Sequence, residues 1–129
     1  MRDSSSNPEL PGDFRIVALR DVGAGTALLA VSGDADLHSA PELRESLRDA
    51  IDEGSTTIVL DLSETTFVDS TALGVLLGGM KRLREQEGRI RLVVPRPEVR
   101  RVFEITMLDR IFPLHETRDE ALAAGDAAD

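Results

Sequence analysis

Hydrophobic and polar positions change period several times along the chain, and each change marks an element. Phe14 to Leu19 and Ala27 to Ser32 are short apolar runs separated by RDVGAGT, whose glycines suit a tight reversal; the pattern predicts an antiparallel hairpin. Ser39-Ala-Pro-Glu42 has a Ser three residues before a Glu with Pro in the first turn, a capping-box start for a helix. Leu43, Leu47 and Ile51 then recur at helical spacing, and Gly54 supplies the stop.

Thr57 to Leu62 is a β-branched and apolar run of the kind buried mid-sheet, followed by SETTFV, which reads as a loop. From Ser70, the residues Leu73, Leu76, Leu77, Met80 and Leu83 form the stripe of a second helix, closed by Gly88. Ile90, Leu92 and Val94 mark a strand ending at Pro95. Pro97 opens a third helix with Val99, Val102 and Phe103 on its apolar face. After a turn near Asp109, Ile111-Phe112 reads as a short strand, and Thr117-Arg-Asp-Glu120 as the capping box of a last helix. The expected architecture is α/β: one domain with a mixed sheet of about four to five strands and about four helices. The expected boundaries are a flexible polar arm over 1–13, the domain over 14–124 and a short tail over 125–129.

Composition narrows the function. The chain has 129 residues, a size suited to one core, and no run approaches the ~20 apolar residues of a membrane span. A soluble protein is expected, and the polar first residues lack the apolar middle of a secretory signal. The absence of cysteine excludes disulfides and thiolate metal sites and fits a reducing cytoplasm. A net charge of −9, with a single Lys and neither Trp nor Tyr, argues against nucleic acid and for a protein partner. His38 and His115 have no third ligand at a metal spacing and are expected at the surface; no Walker loop, nucleophile elbow or Ser-His-Asp pattern occurs.

The segment richest in chemistry is Asp61 to Leu77, DLSETTFVDSTALGVLL. A buried strand ends, a polar stretch reverses the chain, and Asp69-Ser70-Thr71 opens a helix, whose free N–H groups and positive dipole end would accommodate a phosphate on Ser70. Taken alone, Ser, Thr and Asp before an apolar helix read as N-caps.

DLSETTFVDSTALGVLLGGMKRLRE resembles the signature of STAS domains in anti-sigma factor antagonists: a strand, a Phe, Asp-Ser and a Gly-containing helix in this order. The similarity extends upstream to VSGDADLHSAPEL and downstream to RIRLVVPRPEVRRVFEITMLDRIFPLHETRDEAL, nearly the whole chain after residue 13. The resemblance implies that Ser70 is the acceptor phosphorylated by an anti-sigma factor that is itself a serine kinase, with Thr71 as backup. It further implies that the unmodified protein binds this kinase and frees a sigma factor, that a metal-dependent serine phosphatase reverses the modification, and that the chain is no enzyme and needs no cofactor. Where the family has Gly after the Asp-Ser-Ser/Thr triplet, this chain has Ala72, which a helical first turn tolerates.

Asp34 and Asp36 match acidic positions the family places near the phosphorylated Ser; by residue type alone they suit a solvated strand end or turn equally. Gly74, Gly78 and Gly79 each weaken the second helix by about 1 kcal/mol relative to Ala, which points to close contact on that face. The resemblance places Asp34, Asp36, Asp69, Ser70, Thr71, Gly74 and Gly78 in the partner interface. Arg96, Arg100 and Arg101 read as a solvated basic patch. The rival readings are a STAS scaffold or small-ligand sensor in which Ser70 is only a helix cap, a receiver-type phosphoacceptor at Asp61 or Asp69, and an α/β enzyme.

Overall fold

The structure, a computed structural model, describes residues 13–124. Of the expected arm over 1–13, residues 1–12 lie outside the described residues, as does the expected tail over 125–129. Among those described, five strands form one mixed sheet in the order β1 (Arg15–Gly23), β2 (Thr26–Ala35), β3 (Thr57–Val68), β4 (Arg89–Val93), β5 (Leu114–His115). β1 runs antiparallel to β2, as the hairpin pattern requires, and the other neighbours are parallel. Helices α1 (Ala40–Asp52), α2 (Ser70–Glu85), α3 (Pro97–Ile105) and α4 (Arg118–Ala124) fill the connections and the C-terminal end.

Side-chain alternation divides the sheet between two cores. Leu29, Ile58, Leu60 and Leu92 point to the face covered by α1 and α2, where Leu43, Leu47, Leu76 and Leu83 meet them. Leu28, Val59 and Val93 point the other way, beneath Ala121 of α4. Each such fully buried side chain contributes about 1.5–3 kcal/mol relative to exposure. Phe103 and Phe112 close one end of the first core edge to face, with ring centroids 6.4 Å apart.

Two expected elements are displaced. SETTFV is not a loop: β3 continues through it to Val68, because β2 continues to Ala35 and pairs with it, Gly33 opposite Thr65 and Asp34 opposite Phe67. Two register shifts place extra residues in β3, so the strict alternation that identifies a strand in a sequence is broken there. The last strand is Leu114–His115, not Ile111-Phe112. Residues 111 and 112 end a turn, both N–H groups bonding to the Leu108 carbonyl, and pairing starts after Pro113, whose carbonyl accepts the Leu92 N–H at 3.0 Å.

Gly33 is demanded by packing. Its φ is +85°, and a Cβ there would lie 1.7 Å from the Asp13 carbonyl oxygen, so the chain entering β1 crosses directly over this residue.

Candidate phosphoacceptor and partner-docking site

The parallel pairing of β2 with β3 delivers the ends of both strands to one edge of the sheet. There Ala35 pairs with Val68, and the Asp69 N–H bonds to the Ala35 carbonyl at 3.1 Å. Beyond this point β2 turns into α1 and β3 into α2. Asp69 fastens the two turns together: its Oδ1 accepts the Ala72 N–H at 3.0 Å, capping α2, and its Oδ2 accepts the Leu37 N–H at 3.0 Å.

This arrangement corrects the rival cap reading of Ser70. The N-cap of α2 is Asp69, and Ser70 is the first helical residue, exposed, with a hydroxyl that makes no hydrogen bond among the described residues. Thr71 is half-buried. Two apolar side chains at the same sheet edge stand in solvent: Leu37 is 64% exposed and Phe67 50%. Single exposed apolar residues are ordinary, but one on the turn before α1 and one at the end of β3, on the two segments that Asp69 joins, make a small apolar surface at this edge.

The acidic positions divide by role. Asp36 accepts the N–H groups of His38 and Ser39 at 2.9 and 3.1 Å, the turn that starts α1. Its carboxyl sits below the ordinary range, chiefly through the Ser39 N–H. Ser39 forms no capping box with Glu42; its Oγ instead accepts the Asp36 N–H and donates to the Asp34 carbonyl. Asp34 accepts the Thr66 hydroxyl at 2.7 Å. Neither carboxylate bonds to Ser70, so both shape the edge around it rather than hold it. Leu37 escaped the sequence reading; the available signal was an apolar residue inside DADLHS, where a turn favours polar ones.

The STAS domain family model matches residues 18–121. The chain belongs to the STAS family, among the anti-sigma factor antagonists. The anti-sigma-B factor antagonist of Listeria monocytogenes is 32% identical over 90 residues, 70% of this chain and 79% of that protein. An anti-sigma factor antagonist from Mycobacterium paratuberculosis superposes with a TM-score of 0.80 at 30% identity, covering 89% of this chain and 96% of its own. The antagonist SpoIIAA in its unphosphorylated form superposes at 0.70 and 31% identity, covering 85% and 93%; phosphorylated Bacillus SpoIIAA gives 0.65 at 29%, covering 86% and 97%.

In this STAS domain the α2 glycines separate into two kinds. Gly79 packs inward, where a Cβ would meet Leu47 of α1 at 3.3 Å, whereas Gly74 and Gly78 are exposed, and a Cβ on either would find nothing within 4 Å. No internal contact explains them. Replacing both by Ala should therefore raise stability by about 1 kcal/mol each, read as the urea midpoint, because only helix propensity changes. A loss of stability would mean that the fold itself requires them.

Away from this edge the STAS sheet carries a second polar cluster. Asp61 is buried, accepts hydrogen bonds from the Ser63 N–H and hydroxyl, and pairs with Arg118 of α4. Burial alone would raise its carboxyl, but Ser63 and Arg118 outweigh that and hold it below the ordinary range. Buried here, and with Asp69 committed to capping, neither aspartate presents a receiver-type acceptor. His115 is half-buried, not a surface residue as expected; burial, then the charge of Arg91, pushes its imidazole below the usual value. Arg96 donates to the Ser63 carbonyl at 2.8 Å and Arg100 approaches Glu116 at 3.5 Å, so of the expected basic patch only Arg101 remains an exposed face.

These shifts fix a pH dependence. Above about pH 6.5 for His and about 3.9 for Asp, each group is deprotonated folded or unfolded. On acidification the unfolded chain takes the proton first, so stability falls. Urea midpoints should hold constant above pH 7, decline from near 6.5 through His115, and decline again below 4 through Asp61 and Asp36. His115→Gln should remove the first decline only; its persistence in that variant would assign it elsewhere.

Proposed function

We propose that this STAS protein is an anti-sigma factor antagonist whose unphosphorylated form binds an anti-sigma factor serine kinase in the cytoplasm and thereby releases a sigma factor, and that phosphorylation of Ser70 ends the binding. The observation that carries the reading is the freedom of the Ser70 hydroxyl: Asp69 performs the capping, so the serine is exposed and unbonded, at the sheet edge where Leu37 and Phe67 stand in solvent. A kinase can reach it, and a partner can bury it. The relatives add weight, since proteins named for this role match along most of their length and one has been seen in both phosphorylation states.

The chain is in this reading an object of catalysis. A kinase transfers the γ-phosphoryl group of ATP to the Ser70 oxygen, and a metal-dependent serine phosphatase hydrolyses the ester. The phosphate needs no rearrangement of α2. It lies in the first helical turn, where unused backbone N–H groups and the dipole favour an anion, and the charge is felt by whatever must pack there. Asp69 beside it, and Asp34 and Asp36 where β2 ends at the same sheet edge, add like charge. Thr71, half-buried, is the secondary acceptor.

Affinity capture with Ser70→Ala and Ser70→Asp proteins as matched baits, followed by mass spectrometry and phosphosite mapping with the retained kinase, tests the proposal. The Ala bait should retain a serine-kinase-type anti-sigma factor and the Asp bait should not. Identical partners on both baits would return the protein to a scaffold or ligand-sensing role.

A further inference from the structure

The exposed glycines lie on a track that leads away from Ser70. Ser70, Gly74, Gly78 and Arg82 follow one another at intervals of four on α2, which sets them along one face of the helix. Beside that face α1 and α2 enclose a groove of about 250 Å³ with Leu47 in its floor and Arg44, Arg48 and Arg82 around it. Arg82 is drawn toward Asp52 at 2.9 Å, whereas Arg44 and Arg48 are exposed and form no ion pair among the described residues. On a chain whose net charge is −9, Arg44 and Arg48, uncompensated at the rim of one apolar groove, form a local patch opposite in sign to the whole.

We propose that this groove docks an acidic, amphipathic segment of the anti-sigma factor, which lays its apolar side on the groove floor, brings its backbone against Gly74 and Gly78, and sets carboxylates on Arg44 and Arg48. Glycine at 74 and 78 removes the side chains that would otherwise hold a second backbone away from α2. Arginine suits the rim because its planar fork receives a carboxylate in two hydrogen bonds. The inference rests on the proposed function for the partner's identity, but the groove itself can be read independently. It divides recognition in two: the Ser70 edge senses phosphorylation, and the arginine groove supplies affinity that the phosphate does not touch directly.

The test is a titration of the 15N-labelled, unphosphorylated protein with a 16-residue amphipathic peptide carrying Leu on one face and Glu on its flanks, and with the same peptide carrying Lys for Glu. The Glu peptide should shift the Gly74 and Gly78 amide signals, the Lys peptide should not, and Arg44→Glu/Arg48→Glu should weaken the response about tenfold. The milder Arg44→Gln/Arg48→Gln protein should weaken it less, and both variants alter exposed positions, so folding is retained. Absence of shifts, equal shifts with both peptides, or indifference to the arginines overturns the proposal. So does a concentration-dependent shift of these glycines without peptide, which assigns the groove to a second copy of the chain. Intact peptide binding beside Ser70 baits that retain identical partners overturns the switch and leaves the groove standing; the reverse pairing overturns the groove alone.

Discussion

Ser70→Asp is expected to weaken binding of the anti-sigma factor by about thirty- to several-thousand-fold relative to Ser70→Ala, with no comparable change in the stability of either protein. The affinity range corresponds to about 2–5 kcal/mol, the usual cost of an uncompensated charge within a packed interface. A carboxylate carries one negative charge and belongs at the lower end; a phosphoserine carries about 1.5 to 2 and belongs at the upper. The surface explains why so much is at stake. Leu37 and Phe67 offer the apolar contact, so a partner that covers them must strip water from position 70 as well. The stability half of the expectation follows from the helix cap. Since Asp69 and not Ser70 accepts the Ala72 N–H, either substitution should leave the thermal midpoint within the ordinary surface range, about 0.5 kcal/mol. Isothermal titration and thermal melts on the same preparations measure both halves. A Ser70→Asp protein that binds well, or one that binds poorly because it has melted, would contradict the switch.

Asp69→Ala should have a large effect on the fold at this edge, about 2–5 kcal/mol. It removes an N-cap, worth about 0.5–2 kcal/mol, and a hydrogen bond from the Leu37 N–H to a charged acceptor, worth about 1.5–3. Asp69→Asn separates the two, because an amide oxygen can still cap α2 while the amide nitrogen cannot accept from Leu37; it should keep about half the loss. Hydrogen exchange gives the local signature. The Leu37 and Ala72 amides should both lose protection in the Ala protein, and only Leu37 in the Asn protein. Equal protection in all three would mean that the turns hold together without Asp69.

The regular parts of this fold were legible because their periods are clean. The α1 stripe at Leu43, Leu47 and Ile51 and the α2 stripe from Leu73 to Leu83 both bury as the spacing requires. The end of β3 was not legible, because register shifts opposite Ala30–Ser32 and Gly33–Asp34 interrupt its alternation, and long-range pairing with β2 overrides a polar composition that suits a loop. The Ser39 capping box failed for a related reason: its hydroxyl is claimed by the Asp34–Asp36 turn, a competition invisible in Ser-x-x-Glu spacing. At Thr117 half of the box formed: its hydroxyl accepts the Glu120 N–H at 3.1 Å, while the Glu120 carboxylate accepts the Glu116 N–H instead of the Thr117 N–H. At the site, Asp69-Ser70-Thr71 was visible as a helix start, but three residue types that can all cap a helix could not be told apart without coordinates. The exposure of Leu37 and Phe67 was hidden because an apolar residue in a sequence reads as core.

The allotment of the cap to Asp69 also has an evolutionary consequence. Where one side chain both holds a helix and receives a phosphate, any change that disables regulation also damages the fold, and selection removes it. Here Asp69 holds the helix, and the proposed function assigns the phosphate to its neighbour Ser70. On the proposed function, a single codon change at position 70 would leave the antagonist permanently engaged, or permanently silent, in a protein that still folds, so a lineage could discard or restore the regulation in one step while keeping the domain.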